Sequence, residues 1–508
     1  MNFHDTMRGE FAALSYCWGS ASELERNPPY KAVTSNLGEL QSGIPISILP
    51  RTIREAVVVC SSLKIQYLWV DSLCILQDSE ADWQAEALKM ETVHSLSKVT
   101  IIAASSTSCH SGFLGNSSRR IDLFTAEDAV FQISARNSVG TGFHGNPGFK
   151  NDPLEDRGWA YQEEFLSSRY IKFTSDDIQW KCEEGTACLC GHEPDLFHMR
   201  QWEPTLSNPG THQLRRWEQM VESFSRRRFT IETDRLLAFS GVARRLAPQF
   251  CMVRQTRYIA GLWETDLVQQ LLWKVRSPNR IHCREIDAAP SFSWASLAIS
   301  PSFDSKVQRS LVFYARAKIP SYTTTTALTE VIDISCQPDF EDNEFGKVKP
   351  GAFLALRGPL LRCTLSFTRD TLKGHPEDDI RPFDAHNWPS GVRFVRSTMD
   401  CSFEEFMTRD GKRSVKRSTA MLSGYAEEDN VKPEVIEAEV YALMLTYTSQ
   451  PLIQPLWNQL DGILLAPHYS KKGGYQRIGY IYFAVDPSIT AWTSRGYWLQ
   501  WEAEVTVF

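Results

Sequence analysis

The sequence predicts an α/β unit with a mostly parallel sheet at the start of the chain. A helical stretch follows, and then a largely antiparallel β region. Three observations carry this. Gln66–Ser105 reads as strand, acidic loop, amphipathic helix and strand. Thr211–Lys274 has few Gly or Pro breakers and a helical period. From Pro290 onward, short Val, Ile, Tyr and Trp runs alternate with Gly, Pro and charged loops, the pattern of antiparallel strands. The expected units are residues 10–190, 211–286 and 290–508.

Phe11–Ser15 is the first expected strand, closing in Tyr16-Cys17-Trp18-Gly19-Ser20. Pro28-Pro29 and Asn36–Gly43 mark loops. Pro50 then precedes a helix over Thr52–Leu63, with Ile53, Ala56, Val57, Cys60 and Leu63 on one face. Tyr67–Val70 is a short apolar run suited to a buried strand, and Asp71 stands at its end. Because that run is apolar on both faces, it is expected in the middle of the sheet.

The run DSEADW suits a helix start, and Trp83, Ala87, Met90, Val93 and Leu96 then recur at helical spacing. Val99–Ala104 is the next buried strand. The resulting β-α-β-α-β alternation implies right-handed crossovers and places chemistry at the carboxyl ends of the strands. Cys109–Pro153 is glycine-rich and carries one expected strand at Ala129–Ser134. Arg157–Arg169 reads as a helix leading into strands Tyr170–Thr174 and Ile178–Cys182. Later strands are expected at Leu311–Ala317, Gly351–Leu356, Val440–Thr446, Gly462–Ala466, Arg477–Ala484 and Tyr497–Val507.

At 508 residues the chain is too long for one core, and its 42% apolar and 23% charged residues are ordinary for a globular protein. A net charge of −7 argues against a general nucleic-acid surface, which needs a basic face. The opening MNFHDTMRGE lacks the apolar core of a signal peptide, and no run approaches the roughly 18 apolar residues of a membrane span. Twelve scattered cysteines in so long a chain point to reduced thiols and a cytoplasmic location.

Four constellations are candidates for chemistry. Ser15, Tyr16, Cys17 and Trp18 at the end of the first strand face Asp71 at the end of the second, if the two are parallel neighbours. An Asp held there orients a ribose hydroxyl or acts as a base; the bland alternative is a turn cap beside a core tryptophan. Asp82, Trp83 and Glu86 open the following helix, where carboxylates are also favoured by the helix dipole alone. Arg157, Trp159, Gln162, Glu163 and Glu164 form either a nucleotide-binding wall or a buried polar network. Arg157 is the expected bidentate partner of Asp71.

Cys182, Cys188, Cys190 and His192 have poor spacing for zinc, so no metal is expected there. The G-x-G-x-x-G match at Gly140, Gly142 and Gly145 follows polar residues and precedes Asn146-Pro147-Gly148, so it reads as a loop. No P-loop and no Gly-x-Ser-x-Gly elbow occurs, and no cofactor is expected.

Three ordered blocks, FAALSYCWGS at Phe11–Ser20, WVDSLCILQ at Trp69–Gln77 and LEDRGWAYQEEFLSSR at Leu154–Arg169, resemble the fungal heterokaryon incompatibility (HET) domain. The resemblance covers roughly residues 1–190 and continues into tail segments such as APSFSWASL at Ala289–Leu297. Many family members carry Asn where this chain has Leu76.

The resemblance implies a role in fungal non-self recognition and programmed cell death, with other incompatibility or receptor proteins as partners. HET domains are considered distantly similar to Toll/interleukin-receptor (TIR) domains, which implies a TIR-like fold. Some TIR domains cleave the nicotinamide–ribose bond of NAD with a Glu on the comparable helix, which makes Glu86 the matching candidate here. A nucleotide is then the implied ligand, with Asp71 and Glu163 as further carboxylates. Two other readings stay open: an enzyme acting on a small metabolite, and a non-catalytic signalling module that self-associates.

Overall fold

The structure is a computed structural model and describes residues 9–115, 120–124, 133–136, 152–175, 177–189, 209–251, 255–275, 281–282, 289–299, 312–314, 324–340, 343–368, 379–382, 392–399, 415–419, 434–449, 458–468, 471–485 and 501–508.

The first part of the chain builds a six-stranded mixed sheet. In chain order its strands are β1 (Phe11–Ser15), β2 (Tyr67–Trp69), β3 (Val99–Ile102), β4 (Tyr170–Phe173), β5 (Ile178–Cys182) and β6 (Gly185–Cys188). Their order across the sheet is β2-β1-β3-β4-β5-β6. The first four in that order run parallel, and β5 and β6 add antiparallel.

The order corrects one expectation: β2 lies at the edge of the sheet. The central positions fall to β1 and β3, whose residues are almost all buried. Tyr67 is 37% exposed. The run looked two-faced because its alternate residues are apolar. Leu68 and Val70 join the core on one side of the sheet, whereas the aromatic rings of Tyr67 and Trp69 alternate to the other side.

Helix α1 (Arg51–Ser62) follows Pro50 and buries Thr52, Ile53, Ala56 and Cys60. Helix α2 (Glu80–Leu96) is capped by Ser79, whose hydroxyl accepts from the Asp82 N–H at 3.3 Å. Its buried face is Ala87, Met90 and His94, and Leu96 is 69% exposed. The apolar labels at Val93 and Leu96 therefore misplaced the inward face by about one residue, since each residue turns the helix by about 100°.

Helix α3 (Gly158–Leu166) is docked by backbone bonds to the next part of the chain. The Gly158 N–H donates to the Arg228 carbonyl at 2.9 Å, and the Arg228 N–H to the Asp156 carbonyl at 2.7 Å. A Cβ at position 158 would stand 1.9 Å from the Phe229 ring, so only glycine fits this approach.

Two cores flank the sheet. One holds Ala12, Leu14, Tyr16, Ile53, Val99, Ile101 and Phe113. The other, on the side of α3, holds Cys17, Ile102, Ala104, Leu154 and Ala160.

Helices α4 (Pro209–Ser225) and α5 (Leu237–Cys251) fill the first part of the expected helical stretch. The chain then forms the tight pair Tyr258–Ile259 and Leu262–Trp263 and the strand Trp273–Val275. The turn Ala260-Gly261 has φ of 46° and 94°, a two-residue hairpin geometry, and the Trp294 indole packs on Gly261.

In the last part of the chain, β7 (Phe353–Thr368), β8 (Glu434–Ser449), β9 (Asn458–Pro467), β10 (Gly474–Val485) and β11 (Glu502–Val507) pair in a closed circuit. Each pairs antiparallel with the next except β10 and β11, which run parallel at Gly474 and Tyr475. The circuit closes because one half of the long β7 pairs with β11 and the other half with β8.

One apolar cluster joins the α4 and α5 segment (Trp217, Phe224, Phe239) to this β region (Leu354, Leu443, Ile463), and α3 packs Trp159, Tyr161 and Phe165 against it. The expected strand at Ala129–Ser134 lies mostly outside the described residues, although Ile133–Arg136 pairs with Arg120–Phe124. No helix among the described residues is long and apolar enough to cross a membrane.

Candidate functional site

The chain passes from β1 to its neighbour on one side, β2, and then returns to the other side as β3. The strand order thus reverses beside β1. In open α/β sheets a crevice forms at such a reversal, outside the carboxyl ends of the strands. Those ends carry Ser15–Trp18 after β1 and Asp71 after β2.

Asp71 is bonded from both sides. The Trp18 indole Nε1 donates to its Oδ2 at 2.8 Å, and the Ser72 N–H donates to its Oδ1 at 2.6 Å. Beneath it, the Tyr16 hydroxyl donates to Ser72 Oγ at 2.9 Å. Gln77 Nε2 donates to the carbonyls of Asp71 and Ile75 at 3.1 and 2.9 Å, bracing the turn. Burial pushes the Asp71 carboxyl above the usual carboxylate range, against the lowering pull of the Trp18 bond and of Arg157.

Arg157 and Glu163 come to the same place from α3 and its lead-in. Arg157 does not form the expected bidentate pair with Asp71; its Nη1 donates to the Tyr16 carbonyl. The guanidinium still acts on Asp71, Glu163 and Cys17 through its charge. Burial pushes the Glu163 carboxyl up as well, opposed by the Ser15 hydroxyl and by Arg157. Ser15 faces Glu163 without closing a hydrogen bond of ordinary geometry. The negative charge of Glu163 also raises the proton affinity of Asp71. Cys17 is buried beside them, and burial pushes its thiol up to about 11, so it is protonated and unreactive at neutral pH.

The other expected members stand apart. Gln162 turns to α5, where its Oε1 accepts from the Gly241 N–H at 2.7 Å. Trp159 packs edge-on against Trp83 of α2, with ring centres 6.1 Å apart, and its indole supports the Asp234 carboxylate. Glu86 pairs with Lys89 of its own helix at 2.8 Å. Asp82 closes the loop before α2, accepting from the Leu76 N–H at 2.8 Å. The face of α3 is therefore split: Gln162 joins two helices, and Glu163 alone faces the strand ends.

One residue near the crevice was missed. His94 of α2 is 1% exposed, lies edge-on to Trp69 with centres 5.8 Å apart, and feels the charge of Asp71. Its spacing from Ala87 and Met90 was the available signal, hidden because a histidine is not counted among apolar positions.

Among the described residues, no group of three or more His, Cys, Asp or Glu is arranged to hold a metal ion. Cys190 and His192 lie outside them. Cys188 is disulfide-bonded, which departs from the expectation of uniformly reduced thiols, while Cys17, Cys60, Cys74, Cys109, Cys182, Cys336 and Cys363 are free.

A mixed-sheet α/β domain with two carboxyls, an arginine and a tryptophan at its switch point defines this part of the molecule. Residues 11–163 match the family model for heterokaryon incompatibility protein (HET), and this segment is a HET domain. No curated protein and no solved structure matches the chain.

Proposed function

We propose that the chain acts in heterokaryon incompatibility, in fungal non-self recognition leading to cell death, through a crevice that binds and cleaves a nucleotide such as NAD. The observation that supports this is the approach of Asp71 and Glu163 at the switch point, with Trp18 and Arg157 beside them.

Two carboxyls in a poorly solvated crevice cannot both ionise cheaply, so they divide roles. Asp71 has two donors, the Trp18 and Ser72 N–H groups, and is the better placed to stay ionised. Glu163 has none closed on it of comparable geometry and keeps the proton more readily. An ionised Asp71 stabilises oxocarbenium-like charge as the ribose–nicotinamide bond breaks and nicotinamide leaves as the neutral base with the bonding pair. Water then adds to the ribose carbon and its proton passes to Asp71, while a protonated Glu163 holds the substrate by donating a hydrogen bond. Glu86, tied to Lys89, stays outside this reading, as does the distant likeness to TIR domains.

The test is to incubate purified protein with NAD and follow nicotinamide release, with nucleotide binding measured in parallel. Asp71→Asn and Glu163→Gln are expected to abolish turnover and cell killing at nearly unchanged melting temperature. A wild-type protein that neither binds nor cleaves any nucleotide would refute the reading.

A second reading, self-association, is favoured by the exposed apolar side chains that the segment from Ile46 to Tyr67 carries: Ile46, Ile48, Val58, Leu63 and Tyr67. Light scattering of the wild type and of Val58→Glu separates the two readings.

A further inference from the structure

The helix-covered face of the sheet can be followed row by row. Trp69 of β2, Ala13 of β1 and Thr100 of β3 are in register across it. Alternation along β1 places Ser15 on the same face, one step nearer the carboxyl end and about 7 Å further along. His94 reaches down from α2 onto the first row, edge-on to Trp69 and with Nδ1 3.5 Å from Thr100 Oγ1. Ala13 contributes only a methyl group between them.

Two polar atoms on this floor lack partners. His94 Nε2 and Ser15 Oγ are both buried, on side chains only 1% exposed, and neither closes a hydrogen bond of ordinary geometry, the Ser15 hydroxyl only facing the Glu163 carboxyl. Each such atom costs stability if nothing satisfies it. The neighbouring hydroxyls of Ser97, Thr100 and Ser167, by contrast, are bonded to one another in a chain that ends on the Glu163 carbonyl. The two unsatisfied atoms thus stand out within an otherwise completed network.

We infer that Ser15 Oγ and His94 Nε2 form the inner end of the crevice and receive the vicinal hydroxyls of a ribose. This rests on the nucleotide reading above and deepens it. A diol offers both donors and acceptors on adjacent carbons, which matches a serine hydroxyl, an imidazole nitrogen and the free lone pairs of Asp71. A phosphate matches poorly, because two carboxyls face the same space and Arg157 has turned a donor to the Tyr16 carbonyl. The imidazole is uncharged at neutral pH, since burial holds it down to about 4, and it brings no positive charge to offset an anion.

The experiment compares nicotinamide riboside with its 2′-deoxy and 3′-deoxy analogues by calorimetry. The proteins are the wild type, Ser15→Ala and His94→Leu, each with its melting temperature measured. The wild type is expected to bind the riboside at least tenfold more tightly than the deoxy analogues. Each variant should lose about tenfold in riboside affinity and most of that discrimination, at a melting temperature equal to or above that of the wild type. Variants that bind and discriminate like the wild type would overturn this inference while leaving the nucleotide reading intact. A wild type that binds NAD but not the riboside would overturn this inference alone, and one that binds neither would overturn both.

Discussion

The Trp18 indole and the Asp71 carboxylate are joined by a 2.8 Å hydrogen bond across the ends of two parallel strands 53 residues apart in sequence. The bond holds the β1 turn over the β2 turn, and with it the geometry of the crevice. Replacing Trp18 by Phe keeps most of the packing but removes the donor. The expected loss is about 1–3 kcal/mol, the cost of leaving a half-buried acceptor short of a partner. In an Asp71→Ala background, where the acceptor is gone, Trp18→Phe should cost clearly less than in the wild type, as for groups that act on each other. Full additivity in denaturant unfolding would show that the bond contributes nothing.

At Gly158 the HET domain meets the chain that follows with no room for a side chain. A Cβ there would meet the Phe229 ring at 1.9 Å. Gly158→Ala is expected to cost roughly 1–3 kcal/mol, as overpacking usually does. Adding Phe229→Leu should restore part of that loss even though Phe229→Leu alone destabilises. If the second change only makes matters worse, the contact is not the cause.

Lys172 is buried between two carboxylates, 2.8 Å from Glu155 and 3.1 Å from Glu164. The two carboxylates hold its pKa up, and Lys172 in turn holds that of Glu155 down. Lys172→Met strands both acids and should destabilise by about 3–5 kcal/mol, whereas Lys172→Met/Glu155→Gln/Glu164→Gln should recover much of it. Urea midpoints of the two proteins decide between this and a loss of packing alone.

His94 gives a pH signature. Burial lowers its pKa from 6.5 to about 4, so the unfolded chain binds the proton first as pH falls. Its contribution is fully present above pH 6.5 and is lost progressively down to about 4, a total of about 3 kcal/mol. Buried carboxyls act in the opposite sense. Burial raises Asp152 to about 6 and pushes Asp71 and Glu163 upward, so the folded chain binds their protons first and gains on acidification. The comparison must therefore be with His94→Gln, which removes one term only. The stability difference between wild type and variant should shrink or reverse by about 3 kcal/mol between pH 7 and pH 4. Parallel curves would show that His94 is not held neutral.

Much of the local structure was legible from the residues themselves. Proline before α1, the Ser79 cap of α2 and the alternating runs of the last region are short-range signals, and the elements appear where those signals stand. Pairing Asp71 with the turn after Phe11–Ser15 was also legible, because parallel neighbours in an α/β sheet align their carboxyl ends. Beyond the elements, partner choice was not. That Arg157 bonds a carbonyl and not Asp71, or that Gln162 and Glu163 diverge from one helix to different neighbours, depends on what stands opposite.

By itself the sequence determined the order of the elements, the family resemblance of the first part and the residue types at the strand ends. Those follow from period, capping and turn chemistry, which act over a few residues. Only the tertiary structure decided that Tyr67–Trp69 is an edge strand, that the closed β region shares one core with α4 and α5, and that His94 and Ser15 are both buried without a closed side-chain hydrogen bond at His94 Nε2 and Ser15 Oγ. Strand order and burial are set by packing between distant segments. An apolar run reads the same whether one neighbour covers it or two, and a histidine reads the same whether water or a helix faces it.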